Sequence, residues 1–353
     1  MKKMLSTILA ATMLLTITAC GNGGTAQSAS KSESDTSGEG EKISYTLSVG
    51  HTTAPSEYDP YYITSVKFKE LVEEKTDGRI KVEVYSGGQL GSETEMFEGM
   101  QLGTLDMGII TNAYVSAYVP ACGALDLPFL FEDLEQARSV IDGEFGQKLM
   151  GTLEGSGVTN LGWSEGGFRQ TPTVKAPIYK PEDIAGKKIR CMETKTYLAA
   201  YAALEVNATP MAWAETITAL QQGAIDGLDI PNSVTYANGF PDVADYYNML
   251  NMFYSPLQIC ISDSTLNQFD EEDQQLLRDC AVEAGIQTRA ANDANDAFML
   301  EEMAAEGLTI IPTEEIDFAA FQEKASSCYT NEELRNYIGA EYVDELLGIV
   351  GAA

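Results

Sequence analysis

The chain has 353 residues, with 22 Lys and Arg against 53 Asp and Glu, and a formal net charge of −31. A surface this acidic repels nucleic acid and anionic lipid headgroups, so neither is an expected partner. An anionic ligand would need a local cationic pocket, and the chain has only seven arginines to build one.

Residues 1–19 read as an export signal. Lys2 and Lys3 give a positive start, and Met4 to Ile17 form a short apolar core. That core is below the roughly 18–20 apolar residues of a membrane span. Ile17-Thr18-Ala19-Cys20 resembles a bacterial lipobox, in which Cys20 is lipidated and becomes the mature N-terminus. Residues 20–41 then read as a lipid-anchored flexible linker. Positions 21–41 are rich in Gly, Ser, Asp and Glu and hold no apolar residue larger than alanine, so they cannot bury a core. Anchor and tether predict an extracytoplasmic protein, periplasmic or at the outer face of the cell membrane.

The remaining chain reads as α/β. Tyr45–Val49 is a predicted strand, with His51 and Thr52 just beyond it. Asp77-Gly78 is a turn into a strand from Ile80. Ser92 and Glu95 suit a capping box for a helix that ends at Gly103. A strand over Leu105–Ile110 follows, closed by Thr111 and Asn112. The second half repeats this order. EMFEGMQLGTLDMGII (Glu95–Ile110) aligns with ETITALQQGAIDGLDI (Glu215–Ile230) at an offset of 120. Ala185-Gly186-Lys187 leading into Ile189-Arg190-Cys191 echoes Asp77–Val82. In each copy a helix ends at a glycine suited to a left-handed C′ position, and a strand follows. Two related α/β lobes imply open, mostly parallel sheets. Such sheets bind ligands beyond the carboxyl ends of their strands, and Arg190 lies near such an end.

Phe269–Gly307 has no proline and one internal glycine, Gly285, with Asp270 placed as N-cap. It reads as one helix of about 36 residues, about 54 Å long, a spine crossing both lobes with a kink near Gly285 or the Asn- and Asp-rich stretch 292–296. The alternative is two helices with a turn. Five cysteines follow Cys20 without a CxxC pair, and they read as free buried thiols. His51 is the only histidine, which argues against a metal site. One histidine and no GxSxG elbow also argue against a Ser-His-Asp hydrolase. No phosphate-binding glycine motif or calcium loop is visible, so no cofactor is expected.

Specific pieces recur in a fixed order: Gly78-Arg79-Ile80, Gly88-Gln89-Leu90-Gly91, Leu127-Pro128-Phe129-Leu130-Phe131, Gly167-Phe168-Arg169, Pro181 through Arg190, Thr209-Pro210-Met211 and Ala219 through Gly227. In this order the chain resembles the DctP-type solute-binding proteins of TRAP (tripartite ATP-independent periplasmic) transporters, from about Ile43 to the C-terminus. The resemblance implies a two-lobed periplasmic-binding-protein-like α/β fold, with a ligand cleft between the lobes and a long helix spanning both. The expected lobes are residues 42–167 plus about 256–295, and 168–255 plus about 296–353. It also implies capture of an organic acid and delivery to the membrane subunits of a TRAP permease. A ligand-binding subunit for a sensor would use the same fold.

By the resemblance, Arg190 pairs with the ligand carboxylate. A guanidinium fork meets a carboxylate through two parallel charge-assisted bonds. Arg169 either contacts the ligand or orients Arg190's neighbours. Trp213 offers an indole face to a sugar ring, or is a core tryptophan. Glu193 either accepts from sugar hydroxyls or pairs with an arginine. His51, Thr52, Glu93, Thr111 and Asn112 sit at strand ends facing the cleft, or do local capping. The chain departs from the family pattern at Leu228-Asp229-Ile230-Pro231-Asn232, where Ile230 replaces an expected asparagine. The pocket is then either more apolar there or uses Asp229. A sugar acid, uronate or hexonate, is the leading ligand, with four-carbon dicarboxylates and 2-oxo acids as alternatives.

Overall fold

The computed structural model describes residues 42–352; the expected signal, Cys20 and most of the linker lie outside the described residues. No helix among the described residues is long and apolar enough to cross a membrane. The strands are β1 (Tyr45–Gly50), β2 (Ile80–Tyr85), β3 (Met107–Thr111), β4 (Val158–Thr173), β5 (Lys188–Cys191), β6 (Asn207–Pro210), β7 (Gly227–Leu228), β8 (Ile230–Pro231), β9 (Tyr246–Ser262) and β10 (Thr309–Ile311). They form one sheet in the order β2-β1-β3-β9-β4-β7-β5-β6, with β10 beside β9 and β8 beside β4.

β1 pairs in parallel with β2 and β3, and β5 pairs in parallel with β6 and β7. These two parallel groups are the cores of two α/β lobes, as the repeated pattern implies. The lobes do not have separate sheets, however. β4 and β9, 16 and 17 residues long, run antiparallel between the two groups and join them. Their pairing shifts register between Glu165 and Phe168, at Gly166-Gly167, opposite Pro256 and Tyr254.

The sequence echo is also structural. Helix α1 is Pro60–Lys75, α2 is Glu93–Gln101 and α3 is Asn112–Ser116. The capping box of Ser92 and Glu95 forms at the start of α2. Beyond α2, and beyond its counterpart Trp213–Gln221, Gly103 and Gly223 adopt φ of 70° and 69°, the left-handed C′ conformation. The next echoed pair does matching work. Asp106 accepts from the Ser48 amide at 2.9 Å, and Asp226 accepts from the Lys188 amide at 2.9 Å. Equivalent carboxylates thus tie each helix–strand turn to the neighbouring strand.

The long helix is unbroken over Glu271–Ala305, 35 residues, with Asp270 as its N-cap. At 1.5 Å per residue it is about 52 Å long. It packs against α1, β4 and the helix Asn232–Ala237, so it touches both lobes. Gly285 sits where a Cβ would lie 2.0 Å from the Trp163 carbonyl oxygen, so the helix lies directly on β4. Alternate residues of β9 face opposite sides of the sheet. Leu257, Ile259 and Ile261 join the core beneath the long helix, and Cys260 joins the other. The cysteines of the described residues are free and buried. Burial pushes the Cys122 and Cys191 thiols up to about 12, which keeps them protonated and inert.

A candidate ligand cleft with two buried arginines

Strand ends from both lobes meet at one cavity. Its lining includes Arg190 from β5, Arg169 from β4, Ile230 and Pro231 from β8, Thr111 from β3, and Tyr61 and Tyr114 from α1 and α3. Arg190 is 1% exposed. Its Nε and Nη2 donate to the Met211 carbonyl at 3.1 and 2.8 Å, and Nη2 also donates to the Tyr114 hydroxyl at 3.2 Å. It forms no ion pair among the described residues. Its guanidinium carbon lies 6.0 Å from the centre of the Trp213 ring.

Arg169 is also buried, but it is paired. Its Nε donates to the Asp229 carboxylate, Nη2 to the Asp229 carbonyl at 2.7 Å, and Nη1 to Ser255 Oγ at 3.2 Å. The Tyr201 hydroxyl donates to the other Asp229 oxygen at 3.1 Å. Asp229 is therefore the counter-ion that fixes Arg169 and does not line the cavity.

Glu93, at the start of α2, lines the cavity with one oxygen accepting from the Thr111 amide at 2.6 Å and hydroxyl at 2.8 Å. The Tyr61 hydroxyl is 2.7 Å from the same Thr111 hydroxyl. Burial pushes the Glu93 carboxyl up to about 7, against the pull of the Thr111 bonds and the two arginines.

The cleft has two chambers. The inner one, at the arginines, has about 20 Å³ of free space, roughly room for one water. The outer one offers about 610 Å³ and shares Thr52, Glu93, Tyr114 and Trp213 with the inner. Its further lining includes Glu95, Glu193 and Glu215, and no Lys or Arg.

The remaining expected residues divide. Trp213, Thr52 and Ile230 line the cleft, and Glu193 lines the outer chamber alone. His51 is fully buried away from it, with Nδ1 3.1 Å from Thr53 Oγ1. Burial pushes its imidazole down to about 4, so it is neutral at physiological pH. Asn112 is spent in the core: its amide donates to the Cys122 carbonyl at 2.9 Å and to Asp126 at 3.0 Å, and its oxygen accepts from Gln258 at 2.9 Å. Pro231 ends β8 and Asn232 starts a helix, so Asn232 turns away to Asp296 and Tyr247, each at 2.7 Å. Tyr61 and Tyr114 were not anticipated. In a chain with 17 tyrosines, nothing local marks the two that reach a cleft.

Two α/β lobes meet over a buried guanidinium that has no acidic partner among the described residues, the architecture of a two-lobed solute-binding protein. The chain belongs to bacterial extracellular solute-binding protein family 7 (DctP), whose model matches residues 49–335. It is 31% identical over 277 residues to the 2,3-diketo-L-gulonate-binding periplasmic protein YiaO of Escherichia coli, covering 78% of this chain and 83% of that one. A TRAP periplasmic solute-binding protein of Polaromonas, solved with D-erythronate, superposes with a TM-score of 0.81 at 30% identity, covering 86% of this chain and 98% of that one. The sugar acid binding protein DctPAm of Advenella mimigardefordensis, solved with galactonate, gives 0.82 at 27% identity, covering 89% and 100%. These are solute-binding proteins, not enzymes.

Proposed function

We propose that the chain captures a sugar acid, a uronate or hexonate, through Arg190 and hands it to the membrane subunits of a TRAP permease. The observation that carries this reading is the state of Arg190: a buried cation held by a carbonyl and a tyrosine, with no acidic partner among the described residues. An unpaired buried charge is costly, and a ligand carboxylate removes that cost. The outer chamber favours a hydroxylated tail over a second carboxylate. Its acidic side chains are Glu93, Glu95, Glu193 and Glu215; together they disfavour a dicarboxylate's far end, and Glu193 and Glu215, which are not spent on Ser92 or Thr111 as Glu95 and Glu93 Oε1 are, can accept from hydroxyls. The diketogulonate, erythronate and galactonate named for the relatives are all sugar acids, and they support that broader class. Ile230 at the inner wall makes that side apolar.

We propose a first lobe of residues 42–167 plus about 256–295 and a second of 168–255 plus about 296–353; the register shift at Gly166-Gly167, one of three along β4 and β9, supports a boundary there. Cys20 is the proposed lipid anchor, holding the protein outside the cytoplasm. The test is calorimetry against sugar acids, dicarboxylates and 2-oxo acids. Two charge-assisted bonds contribute about 1.5–3 kcal/mol each, so Arg190→Ala should weaken binding by about two to four orders of magnitude. Unchanged affinity in that variant would remove Arg190 from the site. Tight succinate binding without any response to a sugar acid would move the ligand to the dicarboxylates.

A further inference from the structure

The protons of the inner chamber can be followed one by one. Thr111 Oγ1 donates to Glu93 Oε1, so the Tyr61 hydroxyl, 2.7 Å from Thr111 Oγ1, donates to it. The Thr111 amide donates to the same Glu93 oxygen. The Tyr114 oxygen accepts from Arg190 Nη2, which leaves the Tyr114 proton for the cleft. Arg190 Nη1 and Glu93 Oε2 have no hydrogen-bond partner among the described residues. A carboxylate seated at Arg190 therefore finds two donors, Arg190 Nη1 and the Tyr114 hydroxyl. Beside them stands one free carboxylate oxygen. Glu93 is the only carboxylate in the inner lining, and it is 5% exposed. With about 20 Å³ of free space there, the oxygen next to the ligand's carboxylate stands against Glu93.

We propose that Glu93 Oε2 reads the oxygen on the carbon next to the ligand's carboxylate, and that the ligand is a 2-hydroxy acid, a hexonate rather than a uronate. The inference rests on the sugar-acid reading and narrows it. In a hexonate that oxygen is a hydroxyl, which donates to Oε2. In the ring form of a uronate it is the ring oxygen, and in a 2-oxo acid it is a carbonyl. Both can only accept, so two acceptors face each other and a buried one goes unpaired. The exception is a protonated Glu93, whose Oε2 becomes a donor and accommodates all three. Burial raises this carboxyl to about 7, so the selection is strongest at alkaline pH. The charged and titratable groups around it are Arg190 and Arg169 across the cleft, Tyr61, Tyr114 and Cys260 in its own lobe, and Glu95 and Glu193 in the outer chamber.

Calorimetry on the full chain compares galactonate with galacturonate, and gluconate with glucuronate, at pH 8 and pH 6. At pH 8 the hexonate that binds should exceed its uronate by at least about tenfold, as in sites that lose a hydrogen bond to a substrate hydroxyl. At pH 6, a comparison that needs no variant, the ratio should shrink to a third or less. Glu93→Gln keeps an oxygen for Thr111 and puts an N–H where Oε2 stands. In that variant the pH 8 ratio should also fall to a third or less, through tighter uronate binding. A preference set by open-chain against ring shape would survive both changes. A ratio that keeps more than a third of its size through either change, or a pH 8 ratio under tenfold, would overturn Glu93 as the reader and leave the sugar-acid reading standing. Binding of succinate with no response to any of the four acids would overturn both.

Discussion

Arg190 and Arg169 are the same residue type, buried to similar degree, and their partners give them opposite roles. Arg169 has a carboxylate, a carbonyl and a hydroxyl. Removing it strands Asp229 without its counter-ion, and breaking a buried pair this way costs about 3–5 kcal/mol. Arg169→Met should therefore lower unfolding stability in urea by about that amount. Arg190→Met removes an unpaired buried charge and should leave stability unchanged or raise it. Equal losses in both variants would mean that Arg190 has a structural role. Both arginines were legible in the sequence as two of only seven arginines in an acidic chain, set 21 positions apart. Their different roles were not, because the choice among 53 carboxylates is made by the fold. Glu93 adds a pH dependence. Its carboxyl stands at about 7 in the folded chain against an ordinary 4.5. A raised carboxyl takes stability away as pH climbs from the unfolded value through the folded one. The same titration gives the cleft a negative charge above about 7. An acid ligand should thus bind several-fold more tightly at pH 6 than at pH 8, and Glu93→Gln should flatten that profile. A wild-type profile flat over this range would show that Glu93 does not titrate there.

At the scale of elements, the two lobes are tied across the cleft by a short polar latch. Asn238, just past the helix Asn232–Ala237, accepts from the Ala54 amide at 3.0 Å and donates to Asp59 at 3.1 Å. Ala54 and Asp59 follow β1 in the other lobe. Asp59 also caps α1 through the Tyr61 amide at 3.0 Å and accepts from Thr53 at 2.6 Å, and Thr53 lines the cavity. The bond from the Ala54 amide contributes about 0.5–1.5 kcal/mol net and the one to the Asp59 carboxylate about 1.5–3 kcal/mol, and the latch bridges the two lobes. Asn238→Ala should speed dissociation about tenfold for every acid and leave association unchanged, as stopped-flow measurements would read. A change in the order of preference among acids would instead place Asn238 in ligand contact. Nothing local in Ala-Asn-Gly foretold this contact. The elements that were legible have causes within a few residues: the Ser92 capping box, the Gly103 and Gly223 turns, the Asp270 cap. β4 and β9 were missed because their pairing joins distant segments and both are buried on two faces, which removes the alternation that marks a half-buried strand.

For the molecule as a whole, a net charge of −31 surrounds a cleft built to receive an anion. The exposed field acts over about a Debye length, about 10 Å at 0.1 M salt, while the buried arginines are screened much less. Added salt should therefore mute the repulsion more than the attraction. The association rate for a sugar acid should rise between about 10 mM and 150 mM salt, and a fall would mean that the arginine field reaches solvent and steers the ligand in.

The crossing strands have a further consequence for how the molecule comes into being. β3 in the first lobe pairs with β9, Met107 meeting Ile261, and β4 pairs with β9 along most of its length. Neither lobe is complete until Tyr246–Ser262 has been made. An emerging first half has no finished sheet to collapse into, and contacts this distant in sequence form slowly. The topology thus keeps a growing chain pliable until most of it has been made, and reserves compaction for the last stretch of synthesis.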